Sequence, residues 1–245
     1  TVMTESPDTL IELPVEVTTL LYAVEACLVD YDIAAESERD FRYWDAVATA
    51  REVYRARTRL GFAGRNVATD LATLAAMVRS MERKVRVGIA RAEALTEGVP
   101  PTYFAFDVAD YEIINDADGQ QREDAYGRPC VRARRFELQV LPPFLEGAVH
   151  ALRTRPDAAS ALALYQHVRA SNLFDTRLGM YKTNAGLASL SHEIGRLRAF
   201  TPGWLENESV FLHMAYKYLL ATLQAGLYEE FFEDFQQGGV PFFEP

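Results

Sequence analysis

The densest chemistry in this sequence lies in one run, Pro202-Gly-Trp-Leu-Glu-Asn-Glu-Ser-Val-Phe-Leu-His213. Pro202 and Gly203 predict a turn, and a helix follows from about Glu206 to Ala225, with Gly226 as its C-terminal stop. Seven positions apart, Glu206 and His213 then share one helix face, about 10 Å from each other along the axis. The first helical turn offers unpaired N–H groups and the positive end of the dipole, so an anion such as phosphate fits there within reach of His213. Asn207 and Trp204 stand beside this strip with an amide and a flat ring. The same residues also have plainer roles: a core histidine, a carboxylate paired with a helix dipole, and an indole that only packs.

Further candidates precede the run. Arg196 and Arg198 carry planar guanidinium forks that suit phosphate or sugar hydroxyls, and Glu193 stands just before them. A salt bridge that anchors the loop would use the same side chains. Lys182 and Asn184 are candidates to line a sugar site. Glu146, in Pro142-Pro-Phe-Leu-Glu-Gly147, sits at a predicted helix start, and a structural role suits it better.

The elements that must position these groups read mostly as helices. Ser6-Pro7-Asp8 has the form of a helix start. Leu20, Leu21, Val24, Cys27 and Leu28 recur at helical spacing, and a charged helix is expected over Ser37 to Arg59, ended by Gly61 and Gly64. Asn66 is read as a cap for a helix whose stripe is Leu71, Leu74, Val78, Met81, Val85 and Ile89. After Val99-Pro100-Pro101 the composition of Tyr103 to Val108 is that of a strand. With a turn at Asn115 to Gly119 and an irregular strand from Val131 to Val140, it predicts a hairpin-bearing insertion of about forty residues. Helices resume at Asp157 to Ala170. A long loop from Ser171 to Gly203 carries the candidates, and a last acidic, aromatic helix covers Leu227 to Gln237. Helix after helix with long, unequal connections predicts a mainly α fold, an incomplete (α/α)6 toroid with a small β-hairpin insertion at about 102–140. All 245 residues are read as part of one such domain.

Half of the chain is hydrophobic (49%), enough for a substantial core, and the formal net charge is −10. No excess of Lys and Arg is left to neutralise a polyanion, which argues against nucleic acid. Basic residues dominate from Arg51 to Arg91 and acidic ones near the C-terminal end, as solvated faces do. The two cysteines, Cys27 and Cys130, show neither disulfide nor metal spacing. No apolar run spans a membrane and no signal peptide opens the chain. The expectation is a cytoplasmic protein without metal or membrane. Thr1 and Pro245 both read as cut ends, so the rest of a parent polypeptide, or other subunits, is an expected partner.

Pro202, Gly203, Glu206, Asn207, Phe211 and His213 fall in register with a signature of cellobiose phosphorylases, and the sequence resembles that family. It departs at Glu208 and Ser209, where the family commonly has two glycines. It is more closely similar to very large bacterial proteins described as cellobiose phosphorylase-like. The likeness runs through Met180-Tyr-Lys, Glu193 to Ser209 and Tyr216-Lys-Tyr-Leu-Leu, and upstream through Pro100-Pro-Thr-Tyr-Phe and Leu141-Pro-Pro-Phe-Leu-Glu-Gly. The resemblance implies inverting phosphorolysis, or hydrolysis, of β-glucosidic bonds in an oligosaccharide. Inorganic phosphate is then co-substrate, with no other cofactor, and His213 helps to hold it. In that chemistry one carboxylic acid protonates the glycosidic oxygen while phosphate attacks from the opposite face. No residue here matches the family's general acid; Asp30, Asp32 and Asp45 lack its context. The acid is expected outside the sequence, and the chain alone is expected to be inactive. The competing expectation is a non-catalytic helical module that binds sugar or another protein.

Overall fold

Pro14 has a fixed φ and no N–H to give, and it sits where a strand ends and a helix begins. The strand is β1 (Leu10–Pro14), paired antiparallel with β2 (Asn66–Asp70), Leu10 opposite Asp70 and Pro14 opposite Asn66. The helix is α1 (Val15–Ile33), and two residues later α2 (Glu36–Thr58) follows. The structure, a computed structural model, describes residues 6–155, 157–191 and 194–239, without the side chains of residues 36–38. The chain forms two units, Thr1–Ile89 and Ala90–Pro245.

In the first unit the predicted helix start at Ser6-Pro7-Asp8 is a turn, closed by Thr9 N–H donating to the Ser6 carbonyl at 2.9 Å. Asn66 lies in β2 and caps nothing. The cap of α3 (Leu71–Glu93) is Asp70, whose carboxylate accepts from the Thr73 N–H at 2.7 Å and the Thr73 hydroxyl at 2.8 Å. These bonds hold its carboxyl below the usual range. Leu28, Tyr31 and Met77 make the small core. Tyr31 meets Tyr43 edge-on at 5.4 Å, and Lys84 lies over both rings at 4.5 and 4.9 Å, an attraction between the ammonium and the ring faces. Glu16 ties α1 to the segment before β2 through the Ala63 N–H at 2.9 Å.

The second unit opens with a ribbon of two ten-residue strands, β3 (Phe104–Ile113) and β4 (Val131–Val140). Four helices follow: α4 (Leu145–Arg153), α5 (Ala158–Ala170), α6 (Leu212–Gln224) and α7 (Tyr228–Gly238). Asp157 caps α5 by accepting the Ser160 N–H at 2.8 Å. Between α5 and α6, β5 (Phe174–Asp175) and β6 (Met180–Tyr181) pair, and Arg196–Ala199 forms a 3-10 turn. The core is apolar and continuous, with Leu145, Leu152, Val168, Leu173 and Tyr218 almost wholly buried.

This architecture overturns the expected mainly α, incomplete (α/α)6 toroid. The chain is 50% helix and 18% strand, with seven helices and three two-stranded sheets among the described residues, a mixed α/β arrangement. The helices are also not wrapped by neighbours as toroid helices must be. Val78, Val85 and Ile89 of the α3 stripe are exposed. In α6 one face is buried through Ala215, Tyr218, Leu219 and Thr222, while Tyr216 and Leu220 face solvent. The apolar letters of α6 are nearly continuous, yet the 3.6-residue period of the helix leaves it two-sided.

Candidate functional site

The run from Phe200 to Ser209 is a sequence of tight turns ahead of α6. Trp204 N–H donates to the Thr201 carbonyl at 2.9 Å, Gly203 N–H to the Asn207 carbonyl at 2.7 Å, and Asn207 N–H to the Trp204 carbonyl at 3.2 Å. Leu205 and Glu208 both adopt left-handed backbone, φ +48° and +55°. Such conformations do not propagate a right-handed helix. The predicted helix start at Glu206 is therefore corrected: α6 begins at Leu212, Glu206 stands in the turn, and Glu206 and His213 share no helix face.

Each predicted residue has a definite place. Trp204 presents its indole to solvent, 60% exposed, with Phe200 against its edge at 5.5 Å. Arg196 is exposed at the head of the 3-10 turn, and Glu206 is half-buried. His213 is exposed in the first turn of α6, its ring 5.7 Å from that of Phe211. Four residues instead hold the loop together. Asn207 is buried and donates to the Phe200 carbonyl at 2.8 Å. Arg198 donates to the Ala188 carbonyl at 3.0 Å. Lys182 pairs with Glu208 at 3.1 Å, both side chains largely buried. Asn184 is wholly buried and accepts from the Glu208 N–H at 2.8 Å and the Thr183 hydroxyl at 2.9 Å. Glu193 lies outside the described residues. Glu146 accepts from the Tyr103 hydroxyl at 3.0 Å, a tie between α4 and the base of the ribbon.

The structure thus divides the predicted strip. An inner layer of Lys182, Asn184, Arg198, Asn207 and Glu208 is spent on fixing the turns. Trp204, Arg196, Glu206 and His213 remain at the surface. A fixed indole face with a cation and a carboxylate on the same stretch of chain can stack on an apolar ring face and bond to its hydroxyls.

A second polar cluster escaped the sequence reading. The α7 residue Asp234, buried in an apolar setting, accepts from Arg169 of α5 and from the Tyr181 hydroxyl at 2.5 Å. Arg169 also donates to the Tyr165 hydroxyl at 3.0 Å, to Glu233 at 3.0 Å and to Gln237 at 2.9 Å. Burial raises the Asp234 carboxyl above the usual range, with the Tyr181 hydroxyl and Arg169 pulling it back. Burial pushes Tyr165 up to about 12, and Tyr181 and Tyr218 rise further for the same reason. The cleft beside the cluster, lined by Tyr181, Tyr216, Leu219 and Asp234 among others, is a cavity of about 10 Å³. That is room for about one water molecule and none for a sugar. The cluster anchors α7 on α5 and β6.

Among the described residues no helix is long and apolar enough to cross a membrane, and no group of three or more His, Cys, Asp or Glu is placed to hold a metal. No protein-family model matches the sequence, and no curated protein matches it.

Proposed function

We propose that the Trp204 turn is a carbohydrate-binding platform belonging to a glycoside phosphorylase-like enzyme, with the sugar stacked on the indole and inorganic phosphate bound near the start of α6. The observation that carries this reading is the exposed indole of Trp204 on a turn closed by its own backbone bonds. A ring of that size left mostly exposed on a fixed turn gives up much of its packing energy, and it is set for a ligand at little entropic cost. Two further features support it. Glu208 holds a left-handed φ that glycine adopts without strain, at a position where cellobiose phosphorylases commonly carry glycine. His213 stands exposed on the first turn of α6, at the positive end of the helix dipole.

In this reading Trp204 orients the sugar ring, Arg196 and Glu206 bond to its hydroxyls, and His213 donates to a phosphate oxygen. Phosphate attacks the anomeric carbon as a general acid protonates the departing oxygen. The second reading is a sugar-binding surface without catalysis. The separation of Glu206 from the α6 face favours it, because the sugar-binding carboxylate and the anion site are not brought onto one helix.

Calorimetric titration with cello-oligosaccharides, with and without phosphate, tests the proposal. Saturable binding that falls about thirtyfold in Trp204→Ala, as for the loss of an aromatic anchor, is the expected result. Phosphate should tighten it, and His213→Ala should remove that gain. Saturable sugar binding that phosphate does not alter leaves only the non-catalytic reading. Absence of sugar binding ends both.

A further inference from the structure

The segment Lys182-Thr-Asn-Ala185 is pinned along its length by backbone bonds. Lys182 N–H donates to the Leu173 carbonyl at 2.7 Å, Thr183 N–H to the Ser209 carbonyl at 2.7 Å, and Ala185 N–H to the Pro143 carbonyl at 2.9 Å. The Thr183 carbonyl in turn accepts from the Leu145 N–H at 2.9 Å. A segment tied to several neighbouring stretches of chain holds its side chains ready before anything binds. Three of its features meet Glu208. The Lys182 ammonium lies 3.1 Å from the Glu208 Oε2. The Asn184 side chain is wholly buried, and its amide oxygen accepts from the Glu208 N–H at 2.8 Å. Its amide nitrogen has no hydrogen-bond partner among the described residues. Gly186 leaves room for the carboxylate: a Cβ there would stand 2.9 Å from the Glu208 Oε1. An ammonium, a buried amide donor with its demand unmet, and a glycine that clears the space are what a carboxylate or phosphate oxygen needs.

The group that fills this place belongs to the chain itself, and it is held there against its backbone preference. Glu208 has φ +55°, a left-handed conformation that a residue with a Cβ adopts at a cost. The surround is fixed and the occupant is strained, so the carboxylate is the exchangeable part. The Lys182 and Glu208 side chains are 16% and 27% exposed. The pair therefore reaches the surface, and rotation of the Glu208 side chain admits a solute without opening the fold. Once Glu208 leaves, the ammonium is largely enclosed and unpaired, which favours capture of another anion.

We infer that Lys182, Asn184 and Gly186 form a seat for a small inorganic oxyanion, and that Glu208 fills it as a displaceable internal ligand. The choice of phosphate as that anion rests on the proposed function. Phosphate and the Glu208 carboxylate compete for Lys182, so the apparent phosphate affinity is lowered by the fraction of chains in which Glu208 is seated. The seat uses no group of α6, so it and the His213 contact can be tested apart.

The test is calorimetric titration of the 245-residue chain with inorganic phosphate, with chloride added to keep the ionic strength constant. Glu208→Gln and Glu208→Gly should each tighten phosphate binding about tenfold over wild type, the lower range for a hydrogen bond to a charged group. Glycine adopts the left-handed φ without strain, so Glu208→Gly keeps the turn while it empties the seat. Adding Lys182→Met to Glu208→Gly removes both charges and strands neither, and it should abolish the gain. Phosphate should also raise the Tm of Glu208→Gly, as a ligand of the folded state does, and not that of the double variant. Equal phosphate affinity in wild type and both Glu208 variants overturns the inference, as does a gain that survives the loss of Lys182. Loss of the circular dichroism signal in both Glu208 variants overturns it too, because Glu208 is then a fixed strut. Phosphate binding that His213→Ala abolishes and the Glu208 variants leave alone overturns the seat while the proposed function stands. Tightened phosphate binding in Glu208→Gly, without sugar binding in any variant, supports the seat and ends the proposed function.

Discussion

Asp234 shows how one residue fixes the position of an element. Its carboxylate is buried, and Arg169 supplies the opposing charge from α5. Removing one partner of a buried pair strands the other. Arg169→Ala is therefore expected to destabilise the second unit by about 3 kcal/mol in urea denaturation, far more than an exposed Arg128→Ala. The tyrosines around the pair set a pH limit. The folded pKa of Tyr165 is raised from 10.0 to about 12 by burial, and that of Tyr181 is raised further. A group raised on folding contributes stability that is complete below its unfolded value and lost as the pH climbs through the folded one. The second unit should thus be fully stable below pH 10 and unfold as the pH rises toward 12. Absorbance at 295 nm should show these tyrosines ionising together with the loss of circular dichroism, and gradual ionisation in a still-folded chain would contradict their burial. His213 belongs at this scale too. Being exposed, His213→Ala should leave Tm unchanged while weakening phosphate binding tenfold to a hundredfold, the range for a hydrogen bond to a charged group.

Elements were legible in the sequence to the extent that their signals were local. Pro156 and Asp157 marked α5, and the cap bond from Ser160 accounts for it. The β3–β4 ribbon was visible in the composition of Tyr103 to Val108. The start of α6 was misplaced by six residues because nothing in the letters Leu205 and Glu208 reveals left-handed backbone. β1 and β2 were missed because two five-residue strands join across more than fifty residues, and no local period announces such a pair. The α7 anchor was missed for the same reason: Arg169 and Asp234 are 65 positions apart. Gly147 gives a test of how elements meet. A Cβ there would run into Thr102, which donates to the Phe144 carbonyl at 3.2 Å. Gly147→Ala should lower stability by about 1–3 kcal/mol, as overpacking does, although alanine favours helices. An alanine variant as stable as the parent would show that the approach of Thr102 to α4 is loose.

At the scale of the whole molecule, two units each hold a modest core, and the second carries every described candidate. The toroid expectation failed because helical periodicity alone does not say which faces find neighbours, and here broad apolar surfaces remain on α3, α6 and the ribbon. The loop chemistry was legible as residue types and not as roles. Lys182, Asn184, Arg198 and Asn207 are polar residues in a polar loop, and only their bonds distinguish a scaffold from a site. Trp204 is the residue on which the functional reading turns, and the chain has two tryptophans. Trp44→Phe leaves Trp204 as the single indole, so its emission can be followed while cellobiose and longer cello-oligosaccharides are added. The account predicts a saturable change in Trp204 emission, shifted to shorter wavelength as the sugar ring displaces water from the indole. Emission unchanged up to saturating sugar would contradict it.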